Sequence, residues 1–117
     1  MSSRSPITTH VLDTSVGRPA ANLPVTLSRE IDGQRWELLA ERTTDADGRV
    51  NDLLPPGPLQ AGVYRLRFAT GVYFASTGVD DFFYPWAEVV FTAHDGRAHY
   101  HVPLLLNPFG YSTYRGS

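Results

Sequence analysis

The sequence predicts an all-β fold, a two-sheet sandwich carrying one short helix. Three observations lead there. Nine prolines and ten glycines break the chain at short intervals, and the segments between them favour Val, Thr, Tyr and Phe, residues that suit a pleated, half-buried surface. Within those segments apolar and polar residues alternate, as a strand with one buried face requires. No heptad, internal repeat or low-complexity stretch competes with this reading.

Strands are expected at 6–13, 23–30, 35–43, 63–69, 87–93, 97–106 and 109–115, with a short one at 50–54. Asp32-Gly33 and Asp95-Gly96 fall between alternating runs and predict tight hairpins, because glycine supplies the positive φ that such turns need. Pro55-Pro-Gly-Pro58 suits neither strand nor helix interior and is expected as a surface loop. The run 71–78, bounded by glycines, is the one plausible helix.

A chain of 117 residues makes one domain, residues 1–117, and buries roughly two-thirds of its unfolded surface, enough for a core without staples. With 42% hydrophobic and 19% charged residues it is globular, not disordered. A net charge of −2 and a pI near 6.0 offer no field to attract nucleic acid or an anionic membrane. The absence of cysteine excludes disulfides, thiol nucleophiles and Cys-based zinc sites. The opening Met-Ser-Ser-Arg-Ser-Pro lacks a signal peptide's apolar stretch, and no run approaches the ~18 apolar residues of a membrane span. Cytoplasm is the expected compartment.

Alternation then sorts the faces. In 97–106, Tyr100, Val102, Leu104 and Leu106 make an ordinary core face, leaving His99, His101, Pro103 and Leu105 on the other. In the first strand Thr9 and Val11 oppose Thr8, His10 and Leu12; in the last, Tyr111 and Thr113 oppose Gly110, Ser112 and Tyr114. One sheet would thus present His10, Leu12, His101, Pro103, Leu105, Ser112 and Tyr114 outward. That face is too apolar for open water and too polar for a core, so a ligand or a second subunit is expected to cover it. The segment 107–117 holds three aromatics directly after Val102-Pro-Leu-Leu-Leu106. It is expected to be anchored, where a terminus usually frays.

Several chemistries compete for these residues. His99 and His101, about 7 Å apart on one strand face, suit acid–base work near neutrality or, joined by His10, a three-nitrogen zinc site; they also suit two ordinary surface histidines. Asp45-Ala-Asp-Gly-Arg49 is half a calcium loop, but the full pattern would put Thr43 and Leu54 at its first and last ligand positions, where neither serves. Its glycine is better read as a turn residue that delivers Arg49 to the next strand. There Arg49 is either solvated or placed to steady an oxyanion and keep a neighbouring histidine neutral. Ser112 and Ser117 lack a nucleophile elbow, and no phosphate-cradling glycine loop is present.

Four separated motifs then resemble the 5-hydroxyisourate hydrolases, the enzymatic branch of the transthyretin-like family. They are Thr9-His-Val-Leu-Asp-Thr14 with Gly17-Arg-Pro-Ala20; Thr44-Asp-Ala-Asp-Gly-Arg49; Phe82-Phe-Tyr-Pro85 with Val89-Val-Phe91; and His99-Tyr-His-Val-Pro103 with Tyr114-Arg-Gly-Ser117. Asn107 and Phe109 depart from the Ser and Tyr expected there. The resemblance implies a transthyretin-like (prealbumin-like) sandwich, with His10, Arg49 and His101 catalytic and Ser112, Tyr114, Arg115, Gly116 and Ser117 binding substrate. It implies no metal and no cofactor. The reaction would open 5-hydroxyisourate to 2-oxo-4-hydroxy-4-carboxy-5-ureidoimidazoline in urate degradation. His101, alone or with His10, would act as general base and Arg49 would stabilise the oxyanion. The implied assembly is a homotetramer, two edge-paired dimers whose polar faces enclose a channel. A non-catalytic carrier of small aromatic ligands is the alternative on the same scaffold; a β-sandwich adhesion or carbohydrate-recognition module is a more distant one.

Overall fold

The period-two alternation becomes two sheets packed face to face. The structure, a computed structural model, describes residues 4–117. In chain order the elements are β1 (Ile7–Asp13), β2 (Arg18–Pro19), β3 (Pro24–Glu30), β4 (Trp36–Thr43), β5 (Arg49–Val50), β6 (Gly62–Phe68), α1 (Thr70–Ser76), β7 (Ala87–Ala93), β8 (Tyr100–Asn107) and β9 (Gly110–Thr113). One sheet runs β2-β1-β8-β9, with β5 also pairing β1; the other runs β4-β3-β6-β7. The β1–β8 ladder is parallel, and the remaining pairs are antiparallel.

β1 is the strand that positions everything else. β8 runs along one of its sides, while β5 and β2 share the other. Its inward residues Ile7, Thr9 and Val11 are fully buried. Thr9 satisfies its hydroxyl by donating to the Val102 carbonyl at 2.6 Å, so a polar group enters the core without an unpaired atom. Val102, Leu104 and Leu106 of β8 meet Val25, Leu27, Leu66, Phe68 and Val89 of the second sheet in one apolar cluster.

The helix lacks a side-chain N-cap and any acidic residue in its first turn, so tertiary contacts hold it. Tyr73 and Phe74 are buried, and the Tyr73 hydroxyl donates to Asp13 Oδ2 at 2.7 Å. Burial and that carboxylate push the phenol's pKa upward. No helix among the described residues is long and apolar enough to cross a membrane.

Four expectations need correction. Asp95-Gly96 makes no hairpin, because β7 pairs β6 whereas β8 pairs β1 and β9; the turn carries the chain between sheets. A Cβ on Gly96 would overlap the Leu59 carbonyl, so the glycine serves close backbone approach, not a positive φ. That same turn, with Ala98 N–H donating to the Asp95 carbonyl at 3.1 Å, delays β8 to Tyr100. The strand expected at 50–54 shrinks to Arg49–Val50, since Leu53 turns into the core and Pro55 and Pro56 offer no N–H to a ladder. The strand expected at 109–115 ends at Thr113, with one further bridge between His101 and Gly116. β2 is an addition, too short at two residues to show any alternation.

Candidate active site

Asp45 builds the loop that presents Arg49. Its carboxylate accepts the backbone N–H groups of Asp47 and Arg49, both at 2.9 Å. The carboxylate therefore closes its own turn. Gly48 adopts φ 75° with its missing Cβ directed at the Val11 carbonyl, and its own carbonyl receives the Val11 N–H at 2.8 Å. The loop is thereby fastened to β1. Val50 faces the core opposite Thr9, and Arg49 falls opposite His10 on the outer face.

His10 also stands beside Pro103 in the parallel ladder, and Thr8 stands beside His101. Across the other edge of β8, Ser112 opposes Leu105 and Gly116 opposes His101. The same register sets Tyr114 opposite Pro103. His10, Arg49, His101, Ser112, Tyr114 and Gly116 thus share one sheet face, as alternation predicts. Arg115 does not join them. One residue out of phase, it turns to the other side, with its guanidinium 4.6 Å from the centre of the Tyr100 ring. Ser117 lies exposed beyond Gly116.

Gly116 passes close against His101. Its N–H donates to the His101 carbonyl at 2.8 Å. A Cβ in its place would lie 2.6 Å from His101 Cδ2 and 3.3 Å from Pro103 Cγ, so only glycine lets the tail cross the imidazole edge.

Thr8 is a residue of this site that sequence reasoning passes over. It is buried, and its hydroxyl stands 2.8 Å from His101 Nδ1 and 3.1 Å from His99 Nε2. The two rings lie 15° from parallel with centres 6.4 Å apart. Its place on the outer face with His10 and beside His101 was the available signal; a threonine in a strand ordinarily attracts no notice. Among the described residues, no three His, Cys, Asp or Glu side chains form a group able to hold a metal. Here the two imidazoles direct their nitrogens at a hydroxyl.

The electrostatics favour a base. Burial lowers the pKa of His101 below its ordinary value, and Arg49, His99, His10 and Arg4 lower it further. Burial and the neighbouring basic groups thus act in one direction, favouring a neutral imidazole able to accept a proton. Burial, then Arg4, lowers His99 as well.

Fold and face together define the class: a two-sheet sandwich whose outer sheet face carries a neutral imidazole, a guanidinium and a glycine-capped tail. The chain belongs to the HIUase/Transthyretin family, whose sequence model matches residues 7–116. It is 49% identical to the 5-hydroxyisourate hydrolase of Halalkalibacterium halodurans over 115 residues, 95% of this chain and 97% of that one. The structure of Klebsiella pneumoniae 5-hydroxyisourate hydrolase matches with a TM-score of 0.82 and 40% identity, covering 99% of this chain and 100% of that chain. Sea bream transthyretin, solved in complex with thyroxine, matches with a TM-score of 0.88 and 36% identity, covering 96% of this chain and 95% of that one.

Proposed function

We propose that this protein is a 5-hydroxyisourate hydrolase in urate degradation, with His101 as general base and Arg49 as oxyanion stabiliser. The observation that carries the assignment of roles is the burial of His101, reinforced by Arg49 beside it, which lowers its pKa and favours the neutral ring while Thr8 occupies its Nδ1. A water attacks the lactam carbonyl as the imidazole takes its proton, and the carbonyl oxygen gains negative charge beside the Arg49 guanidinium. When the tetrahedral species collapses the C–N bond breaks, the proton passes to the departing nitrogen, and 2-oxo-4-hydroxy-4-carboxy-5-ureidoimidazoline is released. General-base help of this kind contributes roughly 10²–10⁴-fold, and one oxyanion donor about 3 kcal/mol. No metal or organic cofactor is part of this scheme.

His10, opposite Arg49, is placed to assist the base or hold the attacking water. Ser112, Tyr114, Gly116 and Ser117 shape the substrate's surroundings. Arg115, stacked on Tyr100, contributes by holding the tail from behind. The site face is open in a single chain: Tyr114 is 58% exposed. A homotetramer closes it. β7 and β9 are the outer strands at corresponding ends of the two sheets, suited to edge pairing into a dimer, and two dimers then oppose their polar faces across a channel. The cytoplasm is the proposed location, tested by fractionation.

The deciding experiment generates 5-hydroxyisourate with urate and urate oxidase and follows its ultraviolet decay with protein, with a His101→Ala variant and with neither. Decay accelerated by the protein and not by the variant is expected. The thyroxine-bound transthyretin likeness favours one second reading, a carrier of small aromatic ligands. Decay at the blank rate by tetrameric protein, with ligand bound, would establish the carrier instead.

A further inference from the structure

Thr8 has one hydroxyl proton and two imidazole nitrogens within reach, His101 Nδ1 at 2.8 Å and His99 Nε2 at 3.1 Å. A hydroxyl donates once and accepts through two lone pairs; were both rings to donate to it, the proton of this buried hydroxyl would have no acceptor among its hydrogen bonds, so the two rings play opposite parts. In one arrangement Thr8 donates to His99 Nε2 and accepts the proton on His101 Nδ1. In the other it donates to His101 Nδ1 and accepts from His99 Nε2. The first leaves His101 Nε2 as a bare lone pair; the second leaves it protonated and useless as a base.

The hydroxyl is held in place, and two further features favour the first arrangement. Thr8 is 2% exposed, so water does not compete for its hydroxyl, and its backbone is fixed in the β1–β8 ladder. Gly116 covers the Cδ2 edge of His101, and Nε2 has no hydrogen-bond partner among the described residues, so Nε2 is the nitrogen left for substrate. The cationic groups around this ring, Arg49 foremost among them, favour a lone pair over the positive end of an N–H dipole on the ring's free side.

We propose that Thr8 and His99 are positioning residues that hold His101 as its Nδ1–H tautomer, Thr8 accepting from His101 Nδ1 and donating to His99 Nε2. The inference rests on His101 being the general base proposed above. It gives His99 a part in the reaction without contact with substrate: His99 aims a proton, Thr8 aims an imidazole. A hydroxyl between two rings here does what a buried carboxylate does where one orients a catalytic histidine.

The test is nitrogen-15 NMR of the full chain with labelled histidine, the His101 signals being those that His101→Gln removes. At a pH above the titration of both rings, the wild type is expected to show a protonated Nδ1 and a bare Nε2 on His101. Thr8→Val should move the proton to Nε2 and lower kcat at least tenfold, within the roughly 10²–10⁴-fold a general base supplies, with KM changed less than about twofold. Thr8→Ser should restore both readings. His99→Phe, which removes the acceptor, should move the tautomer in the same direction as Thr8→Val. A wild-type ring protonated on Nε2, or a Thr8→Val protein with unchanged tautomer and kcat, overturns the proposal. An Nδ1–H wild type that does not turn over 5-hydroxyisourate supports the positioning and overturns the hydrolase reading instead.

Discussion

A neutral imidazole ringed by positive charge stays available as a base while the solution turns acidic. Burial first, then Arg49, depresses His101 below the ordinary value of 6.5. With His101 as the proposed general base, its protonation should switch kcat/KM off only below that pH, and the acid limb of the rate profile should lie there. Arg49→Gln removes the second-largest cause of the depression. The limb should then move up toward 6.5, while kcat/KM falls about 100-fold through the lost oxyanion donor. A profile that weakens without moving would mean that Arg49 does not act on His101. Gly116 offers a steric test at the same ring. Gly116→Ala places a methyl 2.6 Å from His101 Cδ2, whereas at Gly110 a Cβ would meet only Asn107 side-chain atoms at 3.8 and 3.9 Å. Turnover should drop for Gly116→Ala and hold for Gly110→Ala, with both unfolding at the wild-type urea midpoint.

The turn from Asp45 to Arg49 is a small element that joins stability to chemistry. Gly48→Ala forces a left-handed φ of 75° on alanine and drives its Cβ into the Val11 carbonyl. We expect a loss of more than about 1 kcal/mol, read as a lower urea midpoint, together with weakened turnover because Arg49 is displaced. Retained stability would show that the loop yields without disturbing β1. Elements of this kind were legible in the sequence to different degrees. β1, β3, β6 and β7 were readable because one face of each is buried, which imposes period two, whereas β4 buries Ala40 alone and was marked instead by the Asp32-Gly33 turn before it. The parity that assigned His10, His101, Ser112 and Tyr114 to one face came from the same cause. Arg115 shows the converse: the motif placed it with Tyr114, but adjacent residues of an extended chain point opposite ways, and Tyr100 receives it. β2 and the sheet-changing turn at Asp95-Gly96 were not legible, since strand partners are set by long-range packing that leaves no local mark. Thr8 was hidden for another reason. A hydroxyl's role depends on what lies opposite it, and His101 is opposite only because β1 and β8 run parallel in this register.

For the molecule as a whole, the open site face ties activity to assembly. For the homotetramer proposed above, specific activity should fall as dilution parts tetramers into dimers, with mass by light scattering tracking the loss. Full activity in a species of monomer mass would break the channel arrangement. Two neighbouring threonines on β1 hold a wider meaning. Thr9 fastens β1 to β8 from inside the core, and Thr8 serves the histidines outside. Along this strand and β8, consecutive residues thus answer to different demands, the inward set to folding and the outward set to chemistry. A lineage could therefore rewrite the outward positions one codon at a time, exchanging catalysis for ligand carriage, while every intermediate kept the same core and still folded.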